Sequence, residues 1–193
     1  MAFLYRRDRR LRGLKAERGF TIIELFVAML VLAIALGLAT PMFRDVIRNT
    51  AVSNQANDLV TSLAAARSEA VRRGLQVAVI SVSGGADWST GWQVIADTDR
   101  NGTFAGADDI ISTSPPLASQ YHVYARSTGG VGADSQVVFA INGALTNAGF
   151  DINVCFPSGD ATKSRRIRVR ASGSASSHKN TTGSTATACP AGS

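Results

Sequence analysis

Residues 20–39 form an apolar run in which Glu24 is the only charged side chain and Thr21 the only hydroxyl. Twenty residues rising about 1.5 Å each make about 30 Å of helix, the thickness of a bilayer's hydrocarbon core. No comparable run occurs elsewhere in the chain. It is preceded by Arg6-Arg7-Asp8-Arg9-Arg10-Leu11-Arg12-Gly13-Leu14-Lys15-Ala16-Glu17-Arg18, a strongly basic flank. That bias keeps the N-terminal side in the cytoplasm and sends the remainder across the inner membrane, so a single-pass segment with a periplasmic head is expected.

An ordinary secretory signal would end in a small-residue cleavage site after its apolar core. Ala39-Thr40-Pro41 imitates one only weakly. Glu24 is a carboxylate about one turn inside the apolar segment, where a charge is costly unless paired or functional. Both features fit a cut between Gly19 and Phe20. The new α-amino group of Phe20 then lies close to Glu24 of the same or a neighbouring chain, a pair able to set register in an assembling filament.

Arg18-Gly19-Phe20-Thr21-Ile22-Ile23-Glu24-Leu25 resembles the class III leader motif of the type IV pilin and type II secretion pseudopilin superfamily. The resemblance implies cleavage after Gly19 by prepilin peptidase, N-methylation of Phe20 and an assembly role for Glu24. Pro41 falls where such subunits often carry a helix-kinking proline. The leader of residues 1–19 is longer than in many pilins, which suggests a start downstream of Met1. It carries seven basic residues and two acids, so most of the chain's net charge of +6 leaves with it and about +1 remains. The high overall pI therefore reports topology more than an affinity for nucleic acid.

From residue 43 to residue 73 there is neither Gly nor Pro. Val52, Ala56, Leu59, Leu63, Ala66 and Ala70 recur at spacings of four and three, one apolar face of an amphipathic helix. Arg72-Arg73-Gly74 closes it with a basic last turn and a C′ glycine. If unbroken from Phe20, this helix would be roughly 80 Å long, with a bend expected at Pro41. Gln55 and Asn57 are read as solvated.

Short β-like runs follow at residues 75–82, 91–96, 109–113, 120–125, 136–141, 149–156 and 165–170, separated by Gly-rich turns. Trp88 and Trp92 are read as core anchors beside the helix rather than as ligand-stacking residues. The expected fold class is α+β: a long N-terminal helix packed on an antiparallel, sandwich-like β head. The expected division is a leader (1–19), a transmembrane and filament-core helix (20–40), an amphipathic second half (41–73) and a β-rich head (74–193).

Asn57-Asp58-Leu59, the segment Leu63-Ala64-Ala65-Ala66-Arg67-Ser68-Glu69-Ala70-Val71-Arg72-Arg73-Gly74, Gly91-Trp92-Gln93-Val94 and Asp97-Thr98-Asp99-Arg100-Asn101-Gly102 resemble the minor pilin and pseudopilin H group, as does a strand around Val137-Val138-Phe139. This resemblance implies a subunit that works by assembly rather than catalysis. Its partners would be prepilin peptidase, other minor pilins or pseudopilins, and the major pilin. Its head would prime or cap a pilus or pseudopilus.

Asp97, Asp99, Asn101, Gly102 and Asp108 have the spacing of a calcium loop, with oxygens at positions 1, 3 and 5, glycine at 6 and a carboxylate at 12. The terminal residue is Asp rather than Glu, Arg100 adds a positive charge, and Asp and Asn form turns without metal. A plain β-connection is the preferred expectation, calcium the alternative, and no other cofactor is expected. His122 and His178 have no local ligand set for zinc. Cys155 and Cys189 are the only cysteines and lack a C-x-x-C spacing. In an extracytoplasmic head they are expected to form a disulfide holding down a weakly structured tail from Ser172 onward. No nucleophile stands beside an evident His or acid, so an enzyme reading has little support.

Lys163-Ser164-Arg165-Arg166-Ile167-Arg168-Val169-Arg170 concentrates basic charge. Alternation puts Ile167 and Val169 on one sheet face and Arg166, Arg168 and Arg170 on the other. Three readings stay open: a phosphate track along DNA, a charged solvent face on an edge strand, and salt bridges between subunits. Some relatives that this chain resembles are DNA-uptake minor pilins with a C-terminal Gly-Arg-x-Arg motif. The best local match, Gly173-Ser174-Ala175-Ser176, lacks both arginines.

Overall fold

A computed structural model describes residues 19–105, 108–128, 134–146, 149–180 and Cys189, without side-chain detail at residues 40–42. Helix α1 runs Ile22–Arg73, and the chain divides into two units at Met42 and Phe43.

In the first unit the helix begins at a side-chain cap. Thr21 precedes it, and the Glu24 backbone N–H donates to Thr21 Oγ1 at 3.2 Å, which satisfies one of the otherwise unpaired first-turn donors. Glu24 lies in the first turn, where a carboxylate complements the helix dipole. Every large apolar side chain from Phe20 to Leu38 is more than half exposed. Such a surface needs lipid or neighbouring subunits to cover it. The backbone remains helical through Pro41.

In the second unit α1 lays its predicted stripe on the head. Val52, Ala56, Leu59, Leu63, Ala66 and Ala70 are all fully buried. Three of the six are alanines, so the buried face of the helix is shallow there. The helix stops at Gly74, whose φ of 63° suits a residue without Cβ and whose N–H donates to the Ala70 carbonyl at 3.1 Å. Beside this end, Glu69 pairs with Arg72 and Arg73, and Arg73 also reaches Asp109 at 2.6 Å. The hydrogen bonds from Arg72, then Arg73, hold the Glu69 carboxyl below its ordinary pKa.

Eight strands follow among the described residues: β1 (Val77–Ser81), β2 (Trp92–Ala96), β3 (Asp109–Ser114), β4 (His122–Ser127), β5 (Gln136–Phe139), β6 (Gly149–Cys155), β7 (Arg165–Arg170) and β8 (Ala175–Lys179). They make two four-stranded sheets in the orders β3-β2-β1-β5 and β4-β6-β7-β8. Each neighbouring pair is antiparallel. Alternation decides which side chains enter the common core. Val77 and Val79 of β1, Trp92, Val94 and Ala96 of β2, and Val137 and Phe139 of β5 come from the first sheet. Val123, Ala125, Phe150, Ile152, Val154, Ile167 and Val169 come from the second.

Trp88 and Trp92 are core anchors, as expected. Trp92 donates its indole N–H to Ser62 Oγ on the helix at 3.0 Å. Trp88 is fully buried in the β1–β2 connection, beside the bridge from Asp87 to Tyr124 of β4, and so belongs to both sheets. Gly173 occupies a tight junction. It has a φ of 81°, and a Cβ there would lie 1.9 Å from the Gly143 carbonyl oxygen, which already accepts from Arg67 Nε at 2.9 Å.

Three expectations are corrected. The region from Ser172 onward contains β8, which pairs with β7 from Val169↔Ala175 to Arg165↔Lys179. For that reason β7 lies between β6 and β8 and is not an edge strand. The strand expected at residues 120–125 begins two residues later, after a turn in which the Tyr121 N–H donates to the Ala118 carbonyl at 2.9 Å. Gln55 is half-buried rather than solvated, whereas Asn57 is exposed.

Cys155, at the end of β6, is bonded to Cys189 across a sequence separation of 34. Closing a loop of that length constrains the unfolded chain, so the Cys155→Ser/Cys189→Ser double variant is expected to lose about 3–4 kcal/mol. Denaturant unfolding of the oxidised chain and the variant measures this; equal midpoints would refute it.

Candidate functional site

The processing residues lie where the helix begins. Gly19 precedes the cap in non-helical backbone, and a Cβ at that position would meet nothing within 4 Å. Phe20 is 83% exposed. Glu24 follows one helical turn after Phe20, with its side chain on an exposed part of the helix.

The basic run at residues 163–170 does not form one uniform row. Ile167 and Val169 are buried as predicted, and Arg168 and Arg170 are exposed on the opposite face. Asp151 lies on the neighbouring strand β6, directly across from Arg168, and is 6% exposed. Arg166 Nη2 donates to its Oδ2, and Arg168 Nε donates to its Oδ1 at 3.2 Å. One buried carboxylate thus engages two of the three arginines proposed as a phosphate track, and Arg170 is the member it does not engage.

Lys163 and Arg165 turn instead toward the helix. Lys163 Nζ bonds Asp45 Oδ2 at 2.9 Å and lies 5.1 Å from the centre of the Phe156 ring. Arg165 Nη2 donates to Ser53 Oγ at 3.1 Å. Asp151 and Asp45 are the participants that sequence reasoning missed. The single acid inside the strand of residues 149–156 was the available signal for Asp151.

The calcium-like loop brings together Asp97, Asp99 and Asp108, with carboxylate oxygens within 4.8 Å of one another. Asp97 is buried, and its two oxygens accept the N–H groups of Asn101 and Gly102, each at 3.0 Å. Asp108 accepts from the Thr98 and Ala105 N–H groups at 2.9 and 3.1 Å. Asn101 donates its side-chain amide to Asp99 at 2.7 Å. These bonds shape the connection between β2 and β3, with Arg100 and Gly102 at φ 58° and 76°.

His122 stacks on Tyr124, and His178 Nε2 is 3.0 Å from Ser176 Oγ. Burial, then the negative charge of Asp87, raises the Tyr124 phenol's pKa.

An apolar helix entered through a Gly-Phe step and continued as an amphipathic helix on two antiparallel sheets defines a subunit of the pilin class. Residues 14–40 match the prokaryotic N-terminal methylation motif. Residues 55–173 match the family described as type II transport protein GspH. That match spans more than half of the chain, and the chain belongs to this family.

Its fold is similar to that of the type IV minor pilin FimU of Pseudomonas aeruginosa. One crystal form gives a TM-score of 0.55 at 17% identity, covering 73% of this chain and 96% of FimU. A second gives 0.52 at 18% identity, covering 65% and 91%. The minor pseudopilin EpsH from the type 2 secretion system of Vibrio cholerae aligns with a TM-score of 0.49 at 15% identity, over 66% of this chain and 96% of EpsH. Comparison with curated proteins returned no match.

Family and fold make the chain a minor pilin or pseudopilin subunit, in a family of structural proteins rather than known enzymes. The DNA-binding alternative receives no support from these relationships, and Asp151 already engages two of the arginines on which it relied.

Proposed function

We propose that the chain enters the inner membrane with its N-terminus in the cytoplasm and its head in the periplasm. Prepilin peptidase cuts it between Gly19 and Phe20, Phe20 is N-methylated, and the subunit joins other minor pilins or pseudopilins and the major pilin. In the assembled pilus or pseudopilus its head primes or caps the tip. The observation that carries this reading is the exposed apolar helix immediately after Gly19-Phe20. Glu24 is assigned the pairing with the Phe20 amine of an adjacent subunit, because a carboxylate at that depth needs a counter-charge. Pro41 is assigned the adjustment of the helix at the membrane exit. The Asp97 loop is assigned to β-connection, and the function requires no cofactor.

Co-expression with a prepilin peptidase tests the first step. The mature chain should begin at Phe20 and carry one added methyl group by mass spectrometry. A Glu24→Gln chain should still be cut but should fail to enter filaments. An uncut wild-type chain would reject the proposal. Deleting the gene and scoring piliation against exoprotein release assigns the machine; no change in either would reject both assignments.

A further inference from the structure

An asparagine two residues ahead of a Ser or Thr occurs at two places in the chain, Asn101-Gly102-Thr103 and Asn180-Thr181-Thr182. The pattern is that of an acceptor for an asparagine-linked glycan when it lies on the surface of an exported domain. The two occurrences differ in their surroundings. Asn180 is only 8% exposed and follows His178-Lys179. Asn101 lies on the connection between β2 and β3, within Asp99-Arg100-Asn101-Gly102-Thr103. These are five successive exposed residues, with an acid two positions ahead of the asparagine.

The Asn101 carboxamide is polarised from both ends. Its Oδ1 accepts from the Thr103 backbone N–H at 2.6 Å and from the Thr103 hydroxyl at 2.5 Å. Its Nδ2 donates to Asp99 Oδ2 at 2.7 Å. This orientation of the amide sets its acceptor against two donors and its donor against a carboxylate, and the flipped amide satisfies neither. An amide nitrogen is ordinarily a poor nucleophile, because its lone pair is delocalised into the carbonyl. A hydroxyl on the oxygen and a carboxylate on the N–H draw the group toward its imidate form. Charge then gathers on oxygen, and the nitrogen lone pair becomes available. The bond to Asp99 is charge-assisted and so among the stronger kind.

The backbone holds this trio from below. The buried Asp97 carboxylate accepts the N–H groups of Asn101 and Gly102, and Arg100 and Gly102 turn the chain through φ of 58° and 76°. Among the described residues, a Cβ at Gly102 would meet nothing within 4 Å. A cleft of about 440 Å³ runs beside the loop, lined in part by Gln76, Arg100, Asn101 and Ile141. A sugar ring joined to Nδ2 has room there, with the 60% exposed Ile141 to meet its apolar face.

We propose that Asn101 is an acceptor site for asparagine-linked glycosylation, taking an oligosaccharide from a lipid-carried pyrophosphate donor through an oligosaccharyltransferase. Nδ2 bonds to the anomeric carbon of the sugar, and the bond from that carbon to the pyrophosphate oxygen breaks. The lipid pyrophosphate leaves with the electron pair, and the amide proton passes by way of Asp99 to solvent. The product carries a bulky hydrated group beside β3, the outermost strand of its sheet, on which Ile110 is 54% exposed. The glycan shields that edge from pairing with another chain and turns it outward in a filament. This inference rests on the reading of the head as periplasmic.

The full chain is expressed in a Gram-negative host that carries a bacterial asparagine oligosaccharyltransferase and its lipid-linked oligosaccharide. It is purified, alkylated without reduction, digested and read by mass spectrometry. The peptide containing Asn101 should carry the mass of the oligosaccharide, and Asn180 should stay unmodified. The glycopeptide should disappear in Asn101→Gln and Thr103→Ala chains, persist in Thr103→Ser, and fall sharply in Asp99→Ala. These side chains are exposed, so the substitutions leave the core untouched.

An unmodified Asn101 in a chain whose Cys155 and Cys189 resist alkylation would overturn the proposal, because such a head has reached an oxidising compartment. Free thiols would instead reject the periplasmic head, and the acceptor site with it. Modification of the Thr103→Ala chain equal to wild type would overturn the role given to the hydroxyl and with it the proposal. Modification confined to a Cys155→Ser/Cys189→Ser chain would show that the folded loop is not a substrate, and would overturn it as well.

Discussion

A Trp88→Ala chain is expected to be less stable by about 4 kcal/mol, the middle of the range for truncating a buried aromatic. Trp88 is fully buried, and its ring centre is 6.1 Å from that of Phe150 at a tilt of 50°. Its indole N–H donates to the Asp134 carbonyl at 3.1 Å, and its backbone N–H donates to the Val123 carbonyl of β4 at 2.7 Å. Truncation therefore opens a cavity where the two sheets meet and removes the indole donor. In thermal melts of the detergent-solubilised chain the expected fall is about 8–16 °C for a head of this size. Trp88→Phe keeps most of the apolar area but loses the indole bond, and should cost about 1–2 kcal/mol. A Trp88→Ala melt within a few degrees of wild type would mean that the two sheets do not depend on this residue.

Asp151→Asn is the second large effect. The substitution hardly changes shape, but it removes the carboxylate that Arg166 and Arg168 share. Asp151 has 7% side-chain exposure and Arg166 20%, so water compensates little; Arg168, at 47%, is more forgiving. Breaking one partner of such a pair is expected to cost about 3 kcal/mol. Removing Arg166 as well, as Asp151→Asn/Arg166→Gln, should recover part of that loss, because the second change takes away the stranded charge. Strict additivity of the two single substitutions in denaturant unfolding would show that the pair is not coupled.

The helical half was legible because its period is long and regular. Val52 through Ala70 repeat the 3.6-residue spacing, and every member of the stripe is buried. β7 was legible to its exact ends because arginine and aliphatic residues alternate within it. β8 was not, because Ala175-Ser176-Ser177-His178-Lys179 contains one small apolar residue, Ala175, and that residue packs only at the margin of the core. Its place is set by the reversal at Gly173 and by the register it inherits from β7.

The candidate sites divide in the same way. The leader motif and Glu24 are local and can be read in order along the chain. The pairing of Lys163 with Asp45 joins residues 118 apart, and that of Arg168 with Asp151 joins residues 17 apart across a strand pair. No spacing rule anticipates which basic residue in a cluster will find an acid. The two cysteines were the exception among long-range partners, since elimination left only one pairing.

The bond between Cys155 and Cys189 makes a covalent ring that contains the whole of β7 and β8. As the outermost strand of its sheet and the last among the described residues, β8 would ordinarily be the first element to fray, opening from its C-terminal end at little cost. Inside the ring it has no free end. The amides it bonds to β7 can exchange with solvent only when the two strands part within a closed loop that is anchored on β6, whose seven residues are all buried. Reduction of one bond therefore restores a route for step-by-step unzipping, and the slowest-exchanging amides of this sheet should be those whose protection falls most when the thiols are freed.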